Sequence, residues 1–429
     1  MEITIRPAEK IEGRTRMPGD TDIALGALLL SSLSEGTVEI EGIPETEDTR
    51  STLNCLKGLG GEFEEIGLKI KVKGKGLRGL KEPDDVLDAG KSDTTARLLT
   101  GLLAGQPFHS TLTGEKSLKK YSMKNVTEPL MQMGASISGR HNGEHLPLAI
   151  RGYDLLPINY TLPVACSQLK SALLTAALYS RGVTEITDLY HTRDHTERAL
   201  RHLGVRIEKL GRHYINLKGP VQLKGERFYI PGDISRAAFF IVASTLAPRG
   251  ELYLEDVGIN PSRAGIIEVL GRMGAEIRLE NRREYNNEPL ADLVVKGGRK
   301  LKGTEIAGSM MHRLIDEIPA LAVAALFAEG DTILKGVNTL QTEKSERLRL
   351  LSLELRKMGA LVEELDDRLV IRGNSKLSGA RCESHSDHAV AMALATAALF
   401  AEDESVIYGA EAAQSSFPGF FDVMNRIAS

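Results

Sequence analysis

Polar and apolar positions follow one pattern that recurs six times along the chain. A cluster of polar residues is followed by a run of small and apolar residues and then, usually, by a glycine. In the first occurrence no charged side chain lies between Asp22 and Glu35. Because a helix that is apolar nearly all round is typical of a protein core, each run predicts a buried helix. The six occurrences are "DTDIALGALLLSSLSEG", "GKSDTTARLLTGLLAG", "CSQLKSALLTAALYSRG", "DISRAAFFIVASTLAPRG", "HRLIDEIPALAVAALFAEG" and "SHSDHAVAMALATAALFAED".

The polar residues of this pattern stand at the N-terminal end of each predicted helix. Backbone N–H groups at that end have no partner within the helix, and the helix dipole is positive there. Six such ends predict two bundles of buried helices whose N-termini face a shared cleft. A cleft of this kind is suited to binding anions.

A second pattern, a leucine, two variable residues, an apolar residue, a glycine and a small residue, recurs five times. The glycine is expected in the left-handed position that ends a helix, and an alternating strand such as "AEIRLE" follows it. A turn and another strand ending in glycine come next, as in "YINLKG". The repeating unit is therefore helix, strand, turn, strand, and the fold class is α/β. The five glycines are Gly60, Gly134, Gly204, Gly274 and Gly359.

The letters Pro-Gly-Asp occur twice, at 18–20 and at 231–233. Repeated turn chemistry at these places predicts two chain crossings between two domains, although two unrelated turns would give the same letters. The predicted bounds are 15–229 for one three-repeat domain, 1–14 plus 230–429 for the other, and hinges near 14–20 and 226–233.

Composition limits the class of protein. The chain has 429 residues, of which 42% are hydrophobic and 26% charged, which is enough for two domains with separate cores. A net charge of −4 argues against a nucleic acid or a membrane surface as partner. Three scattered cysteines fit neither a disulfide framework nor a zinc site, and the histidine spacing matches no metal motif. With no leader-like start and no apolar run near twenty residues, we expect a cytoplasmic protein without a metal.

Motifs along nearly the whole chain resemble those of the 5-enolpyruvylshikimate-3-phosphate (EPSP) synthases, the 3-phosphoshikimate 1-carboxyvinyltransferases. Among them are "MPGDTDIALGAL", "DAGKSDTTARLLTGLLAG", "TRDHTERAL", "IPGDISRAAFF" and "SSFPGFF". The resemblance implies an enolpyruvyl transferase fold: two domains of three βαβαββ units, each an inside-out barrel, which close on the substrate. It also implies a monomer without a cofactor that transfers an enolpyruvyl group from phosphoenolpyruvate to shikimate 3-phosphate in aromatic amino acid biosynthesis. The UDP-sugar-dependent relative is less similar.

Several cationic positions of the family pattern carry other residues in this chain. The family substrates are polyanions, which need a dense set of Lys and Arg. Moreover, Asp22, Asp93 and Glu343 add negative charge where the resemblance places anions. Efficient family activity is therefore not expected. The changed positions are Thr21, Gly26, Tyr121, Glu343, Ala389 and Ser415.

Other positions keep the family pattern. Asp316 matches the acid that holds the acceptor hydroxyl and serves as its base, although a structural helix-start acid would also fit. Cys166 replaces the first serine of the shikimate-phosphate motif and is expected to be a buried small residue. The remaining matches implied as substrate-binding are Ser167, Gln168, Lys170, Thr192, Arg97 and Arg347.

New basic residues appear elsewhere in the expected cleft, namely Lys91, Lys344 and Arg236. The leading hypothesis is a divergent family member that binds a shikimate-like ring acid, with one of these bases or Arg347 on its carboxylate. Asp316 would act as base and Lys344 as acid. The plainer interpretation is that the three bases are solvated residues at helix starts.

Two alternatives remain open. The chain could be a weak or unusual enolpyruvyl transferase that uses phosphoenolpyruvate and shikimate 3-phosphate. It could also be a non-catalytic binding or regulatory paralogue. An enzymatic role is favoured over the second of these.

Overall fold

The structure is a computed structural model that describes residues 1–211, 213–339 and 342–429. Helices and strands alternate throughout these residues, which confirms the predicted α/β class. Within the described ranges, no helix combines the length and the apolar character that a membrane crossing would need.

The chain divides into two compact units. The N-terminal unit consists of Gly19–Pro231 together with Glu284–Glu288. The C-terminal unit consists of Met1–Pro18, Gly232–Arg283 and Pro289–Ser429.

The helices vary from one turn to more than four turns. In chain order they are α1 Thr21–Ser32, α2 Glu47–Gly58, α3 Asp93–Ala104, α4 Lys124–Gln132, α5 Arg140–Gly143, α6 Ser167–Ala177, α7 His195–His202, α8 Ile234–Leu246, α9 Gly265–Met273, α10 Ser309–Leu314, α11 Ile318–Leu326, α12 Thr342–Lys357, α13 His388–Ala398 and α14 Phe420–Ile427.

The strands are short, as is typical of repeated small sheets. In chain order they are β1 Glu2–Ile5, β2 Gly13–Arg16, β3 Thr37–Glu41, β4 Glu62–Ile66, β5 Lys69–Lys73, β6 Leu87–Asp88, β7 His109–Thr113, β8 Ser136–Gly139, β9 His145–Arg151, β10 Asn159–Thr161, β11 Gly182–Thr187, β12 Ile207–Leu210, β13 Tyr214–Gly219, β14 Phe228–Tyr229, β15 Glu251–Gly258, β16 Glu276–Tyr285, β17 Glu288–Lys296, β18 Glu305–Ile306, β19 Thr332–Lys335, β20 Val362–Leu365, β21 Arg368–Ile371, β22 Arg381–Glu383 and β23 Ser405–Tyr408.

One sheet topology is repeated in both units. In the sheet β6-β7-β9-β8, the first strand pairs parallel with the second, and the remaining pairs are antiparallel. The sheets β10-β11-β13-β12, β14-β3-β5-β4 and β18-β19-β21-β20 follow the same order of parallel and antiparallel pairs. In the sheets that begin with β6, β10 and β18, helical sequence lies between the two parallel strands along the chain, and another helix precedes the antiparallel hairpin, which gives the βαβαββ unit. In the remaining sheet the parallel partner of β3 is β14, which comes much later in the chain.

Two strands each pair with a strand of one unit, although the next helix along the chain belongs to the other unit. β2 precedes α1 along the chain but pairs with β15 of the C-terminal unit. β14 precedes α8 but pairs with β3 of the N-terminal unit. The chain therefore passes from one unit to the other after Pro18 and again after Pro231.

The six predicted buried helices are confirmed as α1, α3, α6, α8, α11 and α13. Leu25, Leu28 and Leu99 are fully buried in the core of the N-terminal unit. Phe240 and Leu321 are fully buried in the core of the C-terminal unit. Each core consists of small and apolar side chains from three of these helices, together with the inward faces of the sheets.

The five repeated glycines are confirmed as left-handed helix ends. Their φ angles lie between +79° at Gly60 and +111° at Gly274. The residue after each glycine donates its backbone N–H to the carbonyl of the leucine that opens the motif; Ala275, for example, bonds Leu270 over 2.9 Å. This is the Schellman arrangement, and only glycine adopts its left-handed position without steric cost.

Candidate functional site

In the N-terminal unit, side chains already occupy the starts of the three buried helices. Asp20 caps α1 by accepting the Ile23 N–H over 3.1 Å, and Ser92 caps α3 in the same way. At α6 the Sγ of Cys166 accepts the Leu169 N–H over 3.4 Å. These caps accept hydrogen bonds from some of the backbone N–H groups that the sequence analysis expects to bind an anion. A ligand would therefore have to contact side chains as well.

Two arginines of this unit form close ion pairs with the acids that depart from the family pattern. Arg97 Nε lies 2.7 Å from Asp93 Oδ2 and 2.8 Å from Oδ1. Arg193 Nη1 lies 2.7 Å from Asp22 Oδ2, which connects the segment before α7 to the first turn of α1. Charge-assisted contacts of this length are the strong class of hydrogen bond.

Lys170 lies at the centre of a buried ion network. Its side chain is 1% exposed, and its Nζ lies 2.9 Å from Glu197 and 3.1 Å from Asp188. Burial alone would lower the pKa of Lys170, but Glu197 and Asp188 outweigh it and hold the pKa above its ordinary value. Lys170 also donates to the Thr192 carbonyl over 3.2 Å. Lys170 therefore positions the Thr192 segment from within the protein.

Asp188 completes the support of Thr192. Its Oδ2 accepts both the Thr192 N–H over 2.9 Å and the Thr192 hydroxyl over 2.8 Å. Burial alone would raise the pKa of Asp188, but Lys170 and the Thr192 bonds hold it below its ordinary value. The carboxylate is thus kept ionised and anchored.

Ser167, Gln168 and Thr192 are half-buried polar side chains in the same unit. Ser167 Oγ donates to Gln168 Oε1 over 3.4 Å, so these two predicted substrate-binding side chains of α6 contact each other. Lys91, in contrast, has a side chain that is 57% exposed and lies 3.6 Å from Glu47. Lys91, which the sequence analysis places in the ligand site, therefore has the environment of a solvated surface residue.

The cysteines have the environment of core residues. Cys55, Cys166 and Cys382 are free and buried. Burial raises the pKa of the Cys166 thiol, and it raises that of Cys382 to about 11. Because the thiolate is the nucleophile, these shifts disfavour cysteine chemistry at neutral pH.

In the C-terminal unit, the start of α8 carries a dense set of ionic contacts. Asp233 caps the helix by accepting the Ser235 N–H over 2.8 Å. Its carboxylate also contacts Arg263 at 3.0 Å and Arg236 at 3.1 Å. The hydroxyl of Ser235 donates to the fully buried Glu317, which directly precedes α11. Sequence analysis did not identify Arg263 or Glu317, and charged residues at otherwise apolar helix starts are the signal that could have found them.

The structure brings together the two residues predicted as catalytic. Lys344 Nζ donates to Asp316 Oδ1 over 2.7 Å, and both side chains are about one-fifth exposed. Arg347, one turn further along α12, donates to Asp387 Oδ2 over 2.8 Å. Asp387 also caps α13 by accepting the Ala389 and Val390 N–H groups.

The pKa of His388 responds to the charges of three predicted carboxylate-binding residues. Desolvation by its packed surroundings and the positive charges of Arg347, Arg236 and Lys344 lower the pKa of His388 to about 3, against an opposing effect of Asp387. His388 is therefore neutral at pH 7. We call Arg236, Lys344 and Arg347 the cation cluster.

Most of the changed cationic positions can be located. Thr21 and Ala389 are buried, whereas the Ser415 hydroxyl donates to the Ala412 carbonyl over 2.8 Å near the surface. A Cβ added at Gly26 would meet nothing within 4 Å, so space remains at that position. Tyr121 is half-buried and packs against the core of the N-terminal unit. The side chain of Glu343 lies outside the part of the chain whose side chains the structure describes.

No group of three metal-ligating side chains occurs among the residues that the structure describes.

Comparison with known proteins identifies the family of this chain. The family model described as EPSP synthase (3-phosphoshikimate 1-carboxyvinyltransferase) matches residues 5–424. A protein of Pelotomaculum thermopropionicum called 3-phosphoshikimate 1-carboxyvinyltransferase is 47% identical over 428 residues, covering 100% of this chain and 99% of its own. A protein of Desulforamulus reducens with the same name is 45% identical with the same coverage.

Solved structures agree with this assignment. The EPSP synthase from Acinetobacter baumannii superposes with a TM-score of 0.91 at 37% identity, covering 100% of this chain and 98% of the other. The enolpyruvyl transferase fold expected from the sequence is thereby confirmed. Identity at this level over the whole length is that of an ordinary member, so the departures noted above are local and do not extend along the chain. The chain belongs to the EPSP synthase family.

Proposed function

We propose that this family member binds a hydroxylated ring carboxylic acid of the shikimate type. The observation that carries the proposal is the Lys344–Asp316 pair, 2.7 Å apart, with Arg347 one turn further along α12. Arg236, Lys344 and Arg347 are each paired with an acid of the chain, namely Asp233, Asp316 or Asp387.

Ring hydroxyls are assigned to the N-terminal unit. Ser167, Gln168 and Thr192 present neutral donors and acceptors, and Thr192 is fixed by Asp188 and Lys170. Hydroxyl, amide and threonine groups match alcohols, which neither need nor supply a full charge.

Asp316 and Lys344 are assigned to proton transfer. A carboxylate and an ammonium 2.7 Å apart can accept and donate a proton at neighbouring atoms of one ligand. In an elimination, Asp316 would take a ring proton while Lys344 protonates the departing hydroxyl; the C–O bond breaks, a C=C bond forms and water leaves. The reverse sequence is an addition of water.

Calorimetry with shikimate tests the proposal. We expect saturable binding that weakens about tenfold in Gln168→Ala, because one hydrogen-bonding group of the ligand then lacks its partner. Gln222→Ala, which changes an exposed glutamine of the same unit, is the matched control and should bind like the wild type. Absence of saturable binding, or an equal loss of affinity in Gln168→Ala and Gln222→Ala, would overturn the proposal.

The second candidate is enolpyruvyl transfer from phosphoenolpyruvate to shikimate 3-phosphate. Whole-length identity of 47% to a relative named for this activity favours it, as does the retention of Asp316 and Arg347. Phosphate release from the two substrates, abolished by Asp316→Asn, would establish this function. No turnover at high enzyme concentration would remove it and leave binding without catalysis.

A further inference from the structure

We infer that Glu354 is a positioning residue: it fixes the turn at residues 383–386 and, through that turn, the orientation of Asp387 and Arg347 toward the carboxylate of a ligand. The inference deepens the proposed function and rests on it, because Arg347 is expected to contact that ligand. A ring acid and phosphoenolpyruvate both supply such a carboxylate, so the experiment titrates both.

Glu354 is an ionised carboxylate in the core of the C-terminal unit. It is fully buried, and its Oε2 lies 2.7 Å from Lys357 Nζ. Its Oε1 accepts from His385 Nε2 over 2.8 Å, and its Oε2 accepts the Glu383 N–H over 2.9 Å. Burial alone would raise the pKa of Glu354, but Lys357, the Glu383 N–H and His385 outweigh it and hold the pKa below its ordinary value. Two of the three partners of Glu354 therefore lie in one short segment.

That segment has an uncommon backbone conformation. His385 and Ser386 have φ angles of +53° and +59°, so two consecutive residues other than glycine lie in the left-handed region. Such a conformation persists only where surrounding contacts impose it, and it is typical of functional sites. The bond from His385 to Glu354 is one such contact, and the bond from the Ser384 hydroxyl to the Gly409 carbonyl, over 2.8 Å, is another.

The turn ends at Asp387, which contacts Arg347. The Asp387 N–H donates to the Ser384 carbonyl over 3.0 Å, so the position of Asp387 depends on the turn. Its carboxylate caps α13 and accepts the Arg347 Nε–H over 2.8 Å. Because the Arg347 side chain is only 6% exposed, a shift of Asp387 would reach the guanidinium directly.

Helix α12 contacts the turn at both of its ends. Glu354 lies seven residues after Arg347, about two helical turns, so the two side chains are on the same face of the helix. Glu354 contacts the segment at residues 383 and 385, and Arg347 contacts it at Asp387. The ion pair with Lys357 would suffice for a structural acid. The further contacts connect Glu354 to the expected ligand-binding arginine.

The experiment measures affinity for the two probes by calorimetry: shikimate alone, and phosphoenolpyruvate in the presence of shikimate 3-phosphate. Glu354→Gln keeps the shape of the side chain and removes its charge. We expect affinity for at least one probe to fall about tenfold, the value of one weakened hydrogen bond to a charged group. Glu354→Asp, which retains the charge, should recover part of the loss. Glu363→Gln, an exposed acid of the same unit whose Oε1 lies 3.0 Å from Arg372, is the matched control and should bind like the wild type.

A second pair of variants separates positioning from stability. Ser386→Gly removes the steric cost of the left-handed conformation and should raise the melting temperature. It should nevertheless weaken binding of the same probe, because glycine allows the turn other conformations. Asn374→Gly, at an exposed position of the same unit with φ of +54°, is the control and should leave affinity unchanged. A purely structural role predicts that affinity and stability change in the same direction.

The outcomes distinguish the inference from the proposed function. Equal affinities of the wild type and Glu354→Gln for both probes, an equal loss in Glu363→Gln, or tighter binding by Ser386→Gly would each overturn the inference. If Glu354→Gln fails to fold, Ser386→Gly decides the inference. A loss confined to phosphoenolpyruvate would support it and assign Arg347 to the second candidate function.

Shikimate binding that none of the variants changes, with unchanged phosphoenolpyruvate binding, would overturn the inference and leave the proposed function standing. Absence of binding of both probes to the wild type would overturn both.

Discussion

Lys344 Nζ and Asp316 Oδ1 are 2.7 Å apart, which joins the first turn of α12 to the segment just before α11. The two side chains are equally exposed, and their charges compensate each other. Since a proton donor and a proton acceptor are thereby held side by side, the pair is the strongest candidate for chemistry in the C-terminal unit.

Asp316→Asn should lower the turnover of the substrate by about 10²–10⁴-fold, because the amide keeps the shape of the carboxylate but cannot accept a proton. Binding of the ring acid should change little, so the loss should appear in kcat and not in KM. Product formation under saturating substrate measures kcat, and calorimetry measures binding of the ring acid. Lys335→Gln, which breaks a surface pair of the same 2.7 Å length with Glu305, should leave both quantities unchanged. Equal loss in the two variants would contradict the assignment.

Lys170→Met should lower the free energy of unfolding by about 3–5 kcal/mol, because it leaves Asp188 and Glu197 buried without their cation. Since the chain has no tryptophan, calorimetry or circular dichroism is the suitable measurement. Lys124→Met, which breaks an exposed pair with Glu128, should cost less than about 1 kcal/mol. A small effect of Lys170→Met would show that Lys170 is available to a ligand, as the sequence analysis expected.

The sequence predicts the repeated elements well and their ionic partners poorly. Gly274 and its equivalents could be identified because a helix end is encoded within six neighbouring residues. The buried helices follow from a local apolar run. In contrast, the motif match implies a substrate contact for Lys170, whereas the structure pairs it with Asp188 and Glu197. These partners lie 18 and 27 residues away along the chain, so no local pattern indicates them.

The same reason limits the prediction of the candidate site. The contact between Arg97 and Asp93 spans four residues on one helix and could have been proposed from spacing alone. The contact between Arg193 and Asp22 depends on packing of α1 against a distant segment, which no local pattern specifies. The predicted domain bounds at residues 15 and 229–230 stay a prediction.

Gly274→Ala should lower the free energy of unfolding by about 1 kcal/mol or more, because φ is +111° and a Cβ would lie 3.1 Å from the Lys300 carbonyl. Gly271→Ala, three residues earlier in α9, is the matched control. A Cβ there meets nothing within 4 Å, so alanine should stabilise the helix by about 0.5–1 kcal/mol. Thermal denaturation of both variants should show opposite shifts, and a loss in both would mean that α9 does not end at Gly274.

His388 should make the protein less stable as the pH falls from about 6.5 to about 3. Its pKa is lowered to about 3 in the folded protein from an ordinary value of 6.5, so between these values the unfolded chain binds a proton that the folded protein does not. Unfolding is then favoured as the pH falls, and the stability that neutral His388 allows is fully present only above pH 6.5.

Asp387, whose pKa lies below its ordinary value of 3.8, loses its contribution only below that pH, so between pH 4.5 and 6.5 the difference between the wild type and His388→Gln reports His388. The melting temperature of His388→Gln should depend less on pH over this range, because glutamine does not titrate. His109→Gln, at an exposed strand position, should retain the slope of the wild type. Equal slopes in the wild type and His388→Gln would mean that burial and the cation cluster do not keep His388 neutral.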